Sequence, residues 1–260
     1  MNSTQPLIRI PTRNNQLLVK ALDNINNNLE ITTFWNITNT IAIDRMNMTD
    51  HGPVHFQVVA NIGLRLARIL NKNKIPMSSV KDLELTYEHA ELIILLASLF
   101  HDMGMTASRV GHEEFSLVIT FPLLREILDF LPIEERTKVI AETLHAIVNH
   151  RKVGKPLTLE GGILTVADAL DMNQGRSKLN FEAGKIDIHT ASASAIDDVE
   201  IKEGKDVPVE ITIHMNNSAG LFQVDQLLKK KLSSSGIKDY FSITAKINKK
   251  EKRLIEEFKV

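Results

Sequence analysis

Along the first 175 or so residues, apolar side chains recur at intervals of three and four, the spacing that collects them on one face of an α-helix. NNQLLVKALDNINNNLEI carries that period and predicts one amphipathic helix. PVHFQVVANIGLRLARILNKNK continues it, with Pro53 suited to a first turn and basic residues near the end. EHAELIILLASLFHD is apolar almost all round between Leu92 and Phe100, which predicts a central, buried helix. EEFSLVITFPLLREILDFL has the same period but contains Pro122, which predicts a kink or a break. PIEERTKVIAETLHAIVNH opens on proline and acids, a good helix start, and TLEGGILTVADALDM supplies a further helix.

Beyond Lys178 the period changes from three and four to two. In VPVEITIHM, Val209, Ile211, Ile213 and Met215 fall on one side, and Glu210, Thr212 and His214 on the other. YFSITAKI alternates likewise, so both predict strands with one buried face. KIDIHT and DVEIKEG are weaker strand candidates. SAGLFQVDQLLKKKLSSSG, between the clear strands, predicts a helix whose lysines sit in its last turns, where the helix dipole alone accounts for them. The expected fold class is α+β, with a mainly helical domain over 1–178 and a small α+β domain over 179–260.

Composition narrows the function by exclusion. A net charge of -1 leaves no overall field toward nucleic acid or anionic membrane, and aromatics at 5% leave few platforms for stacking bases. With no cysteine, disulfides, thiolate metal sites and a cysteine nucleophile are all absent. The N-terminal MNSTQPLIRIPTRNN lacks the apolar core of a signal peptide, and the run ELIILLASLF is too short to span a bilayer. A soluble cytoplasmic protein is the expectation, with no membrane partner and no strong nucleic-acid signal.

The chemistry concentrates in histidines and aspartates. LFHDMGM places His101 and Asp102 side by side at the end of the buried helix, where a carboxylate is costly unless something pairs with it. His55 lies upstream, and Asp168 and Asp171 lie downstream within VADALDM. A histidine from one helix, a His-Asp pair from a second and an aspartate from a third can converge on one divalent metal. Imidazole nitrogen and carboxylate oxygen suit Zn, Fe, Mn, Ni or Co without choosing among them.

This order of residues resembles the HD-domain phosphohydrolase superfamily, over roughly residues 45–175. HFQVVANIGLRLA looks like its first helix and LLASLFHDMGM is close to its commonest signature. The whole chain, with GRSKLNFE and NSAGLFQVDQLL, is similar to archaeal HD-domain proteins with a small C-terminal domain. The resemblance implies a metal-dependent phosphomonoesterase or phosphodiesterase, with His55, His101, Asp102 and Asp168 as metal ligands. Some branches hold a second metal, for which His112 and either His145 or His150 are the candidates. His145 and His150 are about 140° apart around a helix, so only one readily faces a given site, and the layout favours His150. Asp102 would then serve both metals and the catalytic water.

His51 and His55 form a His-x-x-x-His pair like that of related cyclic-nucleotide phosphodiesterases. There the first histidine protonates the leaving oxygen, a role His51 would take here, since imidazole titrates near neutrality. The competing reading makes Asp50 a helix cap and leaves His51 solvated. Substrate phosphate would be met by basic residues among Arg151, Lys152, Lys155, Arg176 and Lys178, with Lys152, Arg176 and Lys178 the named candidates.

The expected activity is hydrolysis of a phosphate ester, or of a cyclic phosphodiester of a nucleotide or pterin, using one or two divalent transition metals. Absence of a Gly-Tyr-Pro segment counts against cyclic di-GMP as substrate. The alternative is a catalytically silent ligand sensor or assembly module. The C-terminal domain would serve assembly, substrate closure or regulation, and homo-oligomerisation stays open.

Overall fold

The structure, a computed structural model, describes residues 8–151, 154–172, 188–248, 250 and 251. Its helices are α1 (Gln16–Asn26), α2 (Leu29–Thr40), α3 (Pro53–Lys72), α4 (Ser78–Leu83), α5 (Tyr87–Phe100), α6 (His112–Ile127), α7 (Ile133–Val148), α8 (Leu159–Leu170), α9 (Ile188–Ser194) and α10 (Lys229–Ser234). The strands are β1 (Ile196–Glu203), β2 (Val209–Met215) and β3 (Phe241–Ile247). The architecture is α+β: a helical body followed by a three-stranded sheet.

The body is built around α5. Every residue from His89 to Phe100 is buried, as a helix apolar on all sides requires, and α1, α3, α7 and α8 pack around it. Trp35 of α2 reaches into this core, and its indole N–H donates to the carbonyl of Leu99 at 2.9 Å. That bond ties α2 to the last turn of α5, directly before His101.

Three local expectations change. The single helix predicted over NNQLLVKALDNINNNLEI is two, α1 and α2, divided by Asn27 and Asn28. Asn15 caps α1 by accepting from Leu17 and Leu18, and Asn28 caps α2 by accepting from Ile31 at 3.0 Å. A short amide that satisfies free N–H groups starts a new helix more readily than it continues an old one. The break anticipated at Pro122 does not occur, and α6 runs through it. The acceptor that Pro122 leaves unpaired, the carbonyl of Val118, lies on an exposed turn where water can satisfy it; Val118 itself is 73% exposed. In KIDIHT, positions 185–187 lie outside the described residues, while 188–190 begin α9 rather than a strand. Two alternating isoleucines are too few to specify a buried strand face.

The sheet order is β1-β2-β3, with β1 and β2 antiparallel and β2 and β3 parallel. Val209, Ile211, Ile213 and Met215 are all buried, so β2 has one fully inward face, as its alternation predicts. The crossover from β2 to β3 contains α10 and the helical turns before it. This region sits directly on the helical body. Arg65 of α3 donates to the carbonyl of Ile201, and Lys72 pairs with Glu203 at 2.5 Å. At Gly162 of α8 a Cβ would lie 2.6 Å from the carbonyl oxygen of Ser235, so only glycine permits this approach. Buried side chains of the sheet and of the helices form one continuous cluster.

Candidate metal centre

The His-Asp pair sits just past the end of α5, in a turn clamped from α6. Ser116 accepts from the Gly104 N–H at 2.8 Å and donates to the carbonyl of His101 at 2.7 Å. A Cβ on Gly104 would fall 2.0 Å from the carbonyl oxygen of His112, which is backbone and cannot swing aside. Gly104→Ala is therefore expected to destabilise the fold by several kcal/mol, in the range of overpacked core sites or above. It should also lower metal content, because His101, Asp102 and His112 are displaced together; thermal unfolding and elemental analysis read the two effects.

Five segments deliver ligand atoms to one place: α3, the turn after α5, α6, the end of α7 and α8. Nε2 of His55, from the first turn of α3, lies 3.2 Å from Nε2 of His101, 3.7 Å from Oδ2 of Asp102 and 3.6 Å from Oδ1 of Asp168. Nε2 of His101 lies 3.4 Å from Oδ2 of Asp102 and 3.8 Å from Oδ1 of Asp168. Ligands about 2.0–2.2 Å from a transition metal are separated from one another by about 3.0–3.6 Å, so this group is sized for an ion. The second oxygen of Asp102, Oδ1, faces the other way. It is 2.9 Å from Nε2 of His112 and 3.8 Å from Nε2 of His150. Two sets of donors thus share the single carboxylate of Asp102, and the groups His55–His101–Asp168 and His101–Asp102–His150 each have the spacing of a metal site.

The hydrogen bonds on the far side of each ring fix what the near side offers. Nδ1 of His101 meets the carbonyl of Ser98 at 3.0 Å, Nδ1 of His112 that of Arg109 at 3.0 Å, and Nδ1 of His150 that of Ile147 at 2.6 Å. Nδ1 of His55 meets Oδ2 of Asp171 at 2.6 Å. A carbonyl or carboxylate can only accept, so each Nδ1 carries a proton, and in its neutral form each ring turns a bare Nε2 lone pair inward. Nε2 of His112 is buried without a hydrogen bond although Asp102 Oδ1 is 2.9 Å away. Lone pairs converging on carboxylate oxygens repel unless a cation lies between them. The donor set fits a divalent metal.

The surrounding charges agree. Burial opposes ionisation of Asp102, but His101 and His112 outweigh it and hold the carboxyl well below the usual carboxylate range. Burial opposes ionisation of Asp168 too, and Lys231 and then His101 outweigh it. His150 is pushed well below the usual imidazole range by burial first, then by His101 and Lys231, which keeps it neutral as a ligand must be.

His51 precedes α3 and is 6% exposed, not solvated. Its Nδ1 meets the carbonyl of Thr49 at 2.6 Å, and its Nε2 lies 4.0 Å from Oδ2 of Asp102. Asp50 does cap the helix, accepting from the N–H groups of Gly52 and His55 at 3.1 Å each. The capping and the inward histidine therefore occur together.

Residues 54–173 match the HD domain. An uncharacterised protein of Methanocaldococcus jannaschii is 36% identical over 239 residues, covering 92% of each chain. The chain belongs to the HD-domain family. This is a superfamily of metal-dependent phosphohydrolases whose domains bind divalent metals. The HD match spans the donors from His55 to Asp168, whereas the archaeal likeness is long enough to take in the C-terminal region as well.

A cavity of 440 Å³ opens over the HD centre, bounded by His51, Asp102, His112, His150, Asp168 and Lys231, with a more apolar end at Met46, Met48, Met172 and Leu227. Of the basic residues expected to meet phosphate, Lys152, Arg176 and Lys178 lie outside the described residues. Arg151 lines the cavity, paired with Glu113 at 2.9 Å, and Lys155 is exposed away from it. His145 is turned elsewhere: its Nε2 accepts from the Leu157 N–H at 3.0 Å. His89 closes a capping box with Thr86.

Two residues around the centre, Arg109 and Lys231, escape a reading of the sequence, as does the role of a third, Asp171. Asp171 is the outer partner of His55, at a position where α8 has already ended. Arg109 lines the cavity and, among the described residues, has no carboxylate partner. Lys231 pairs with Oδ2 of Asp168 from the far end of the chain.

Proposed function

We propose that this HD protein is a metal-dependent hydrolase of a phosphate ester or cyclic phosphodiester carried by a nucleotide-like or pterin-like metabolite. The observation that carries the reading is the convergence of four fixed, bare imidazole nitrogens on the two oxygens of Asp102. His55, His101, Asp102 and Asp168 would hold one ion, and Asp102, His112 and His150 a second. Divalent ions at such sites act as Lewis acids toward phosphoryl oxygens and lower the pKa of water near neutrality.

The chain's own groups supply the rest. Nδ1 of His51 is committed to the Thr49 carbonyl, so Nε2 is the atom that can carry a proton to a leaving oxygen. Arg109, which has no carboxylate partner among the described residues and reaches Nδ1 of His112 at 3.3 Å, offers a guanidinium at the cavity wall. The thioethers of Met46, Met48 and Met172 suit the face of a planar heteroaromatic group, and the apolar end is large enough to exclude water from it. The C-terminal region, residues 179–260 in this proposal, forms part of the wall and so favours substrate closure among its three expected roles.

A panel of nucleotide mono- and diesters, cyclic nucleotides, cyclic pterin phosphates and nitrophenyl esters, assayed with Mn, Fe, Zn, Ni or Co added, tests the reading. Turnover of a cyclic or nucleotide ester is expected. No hydrolysis of any ester by protein shown to contain metal would leave the silent-sensor alternative. Arg109→Ala is expected to raise KM about tenfold or more with metal content unchanged, as loss of a charge-assisted phosphate contact does. An unaltered KM would remove Arg109 from substrate binding.

A further inference from the structure

In QLLKKKLSSSG the three lysines look equivalent, and a helix end needs no other reason for them. The fold separates them. Lys229 and Lys230 are exposed and pair locally with Asp225 and Gln226. Lys231 points the other way: its side chain is 17% exposed, it bonds Oδ2 of Asp168, and it lines the cavity. Gly162 makes the approach possible, because it lets the segment around Ser235 and Ile237 lie against α8, the helix that carries Asp168.

An ammonium has three donors and Asp168 uses one. The remaining donors sit beside a cavity whose lining carboxylates, Asp102, Asp168 and Asp171, face the histidines of the centre. Burying a lysine stem to hold a charge at that wall is costly unless something anionic meets it. Asp168 meets it in part and fixes its position, since a long flexible side chain loses little further freedom once it is already held.

We propose that Lys231 is a substrate-binding residue of the HD centre: tethered by Asp168, it takes an oxygen of the substrate's phosphate, so that the C-terminal region completes the active site. The assignment rests on the phosphohydrolase reading above. It also makes the C-terminal region part of the site itself, because the ammonium is delivered from the crossover between β2 and β3.

The test uses the full chain loaded with metal, and inorganic phosphate as the probe, followed by calorimetric titration. Lys231→Met keeps the length and apolar stem of the side chain. It is expected to weaken phosphate binding about ten- to a hundredfold while metal content, by elemental analysis, stays the same or rises. Metal is not expected to fall, because the variant removes a positive charge near the ions. Lys231→Arg should recover most of the affinity, and Lys229→Met and Lys230→Met should match the wild type. On a phosphate ester the Lys231→Met defect should appear chiefly in KM. Thermal unfolding checks that the fold is intact, and should Lys231→Met unfold, Lys231→Gln carries the same comparison. Wild-type phosphate affinity in a folded Lys231 variant overturns the assignment alone. Metal-loaded wild type that binds no phosphate and hydrolyses no ester overturns the phosphohydrolase reading with it.

Discussion

Asp102→Ala is expected to empty both metal positions at once and to abolish hydrolysis. The reason is its geometry: Oδ2 faces the His55–His101 pair and Oδ1 faces the His112–His150 pair, so one side chain serves two sets of donors. No other carboxylate of the centre offers one oxygen to each histidine pair. Single replacements elsewhere should therefore be graded. His112→Ala and His150→Ala are expected to lower the metal-to-protein ratio by about one ion and leave the first site filled. Asp168→Ala should do the reverse. Asp102→Ala is also expected to lower stability, because His101 and His112 outweigh burial and favour the carboxylate in the folded chain. Elemental analysis after reconstitution, with circular dichroism alongside, reads the whole series. Undiminished metal in Asp102→Ala, or loss of both ions in His150→Ala, would show that the carboxylate does not bridge.

The series also indicates why the centre shows in the sequence as far as it does. His55, His112 and Asp168 lie on helices, and His101, Asp102 and His150 follow helix ends directly, so the strongly patterned apolar faces place each donor before any tertiary contact is known. The alternation in VEITIHM works in the same way, since Val209, Ile211, Ile213 and Met215 can share one face only in a strand. What is not legible depends on the chain doubling back. Lys231 lies 63 residues after Asp168, and nothing in LKKKL distinguishes it from its exposed neighbours. The distinction arises when Gly162 admits the C-terminal segment against α8. Asp171 is hidden for a different reason. Its backbone leaves the helix one residue after Leu170, with ψ of 66°, so the helical period that places Asp168 no longer places Asp171. Local chemistry can mislead at short range too: Asn28 sits in an apolar-periodic stretch but acts as a cap and divides it.

His51 and His55 are four residues apart and should fail in opposite ways. Nε2 of His55 faces His101, Asp102 and Asp168, and its Nδ1 is held by Asp171, the arrangement expected of a metal-bound imidazole. His55→Ala is expected to lose metal and turnover together. His51 is farther out, with Nε2 4.0 Å from Asp102 Oδ2 and facing the cavity, a position suited to meeting a leaving oxygen rather than an ion. His51→Ala should retain its metal and slow hydrolysis of an alkyl or ribose leaving group about 10²–10⁴-fold, the usual contribution of a general acid. The defect should shrink for a nitrophenyl ester, whose leaving group departs without a proton. A uniform loss with both leaving groups would make His51 a structural residue of the cavity wall. Metal lost from His51→Ala and kept by His55→Ala would exchange the two assignments.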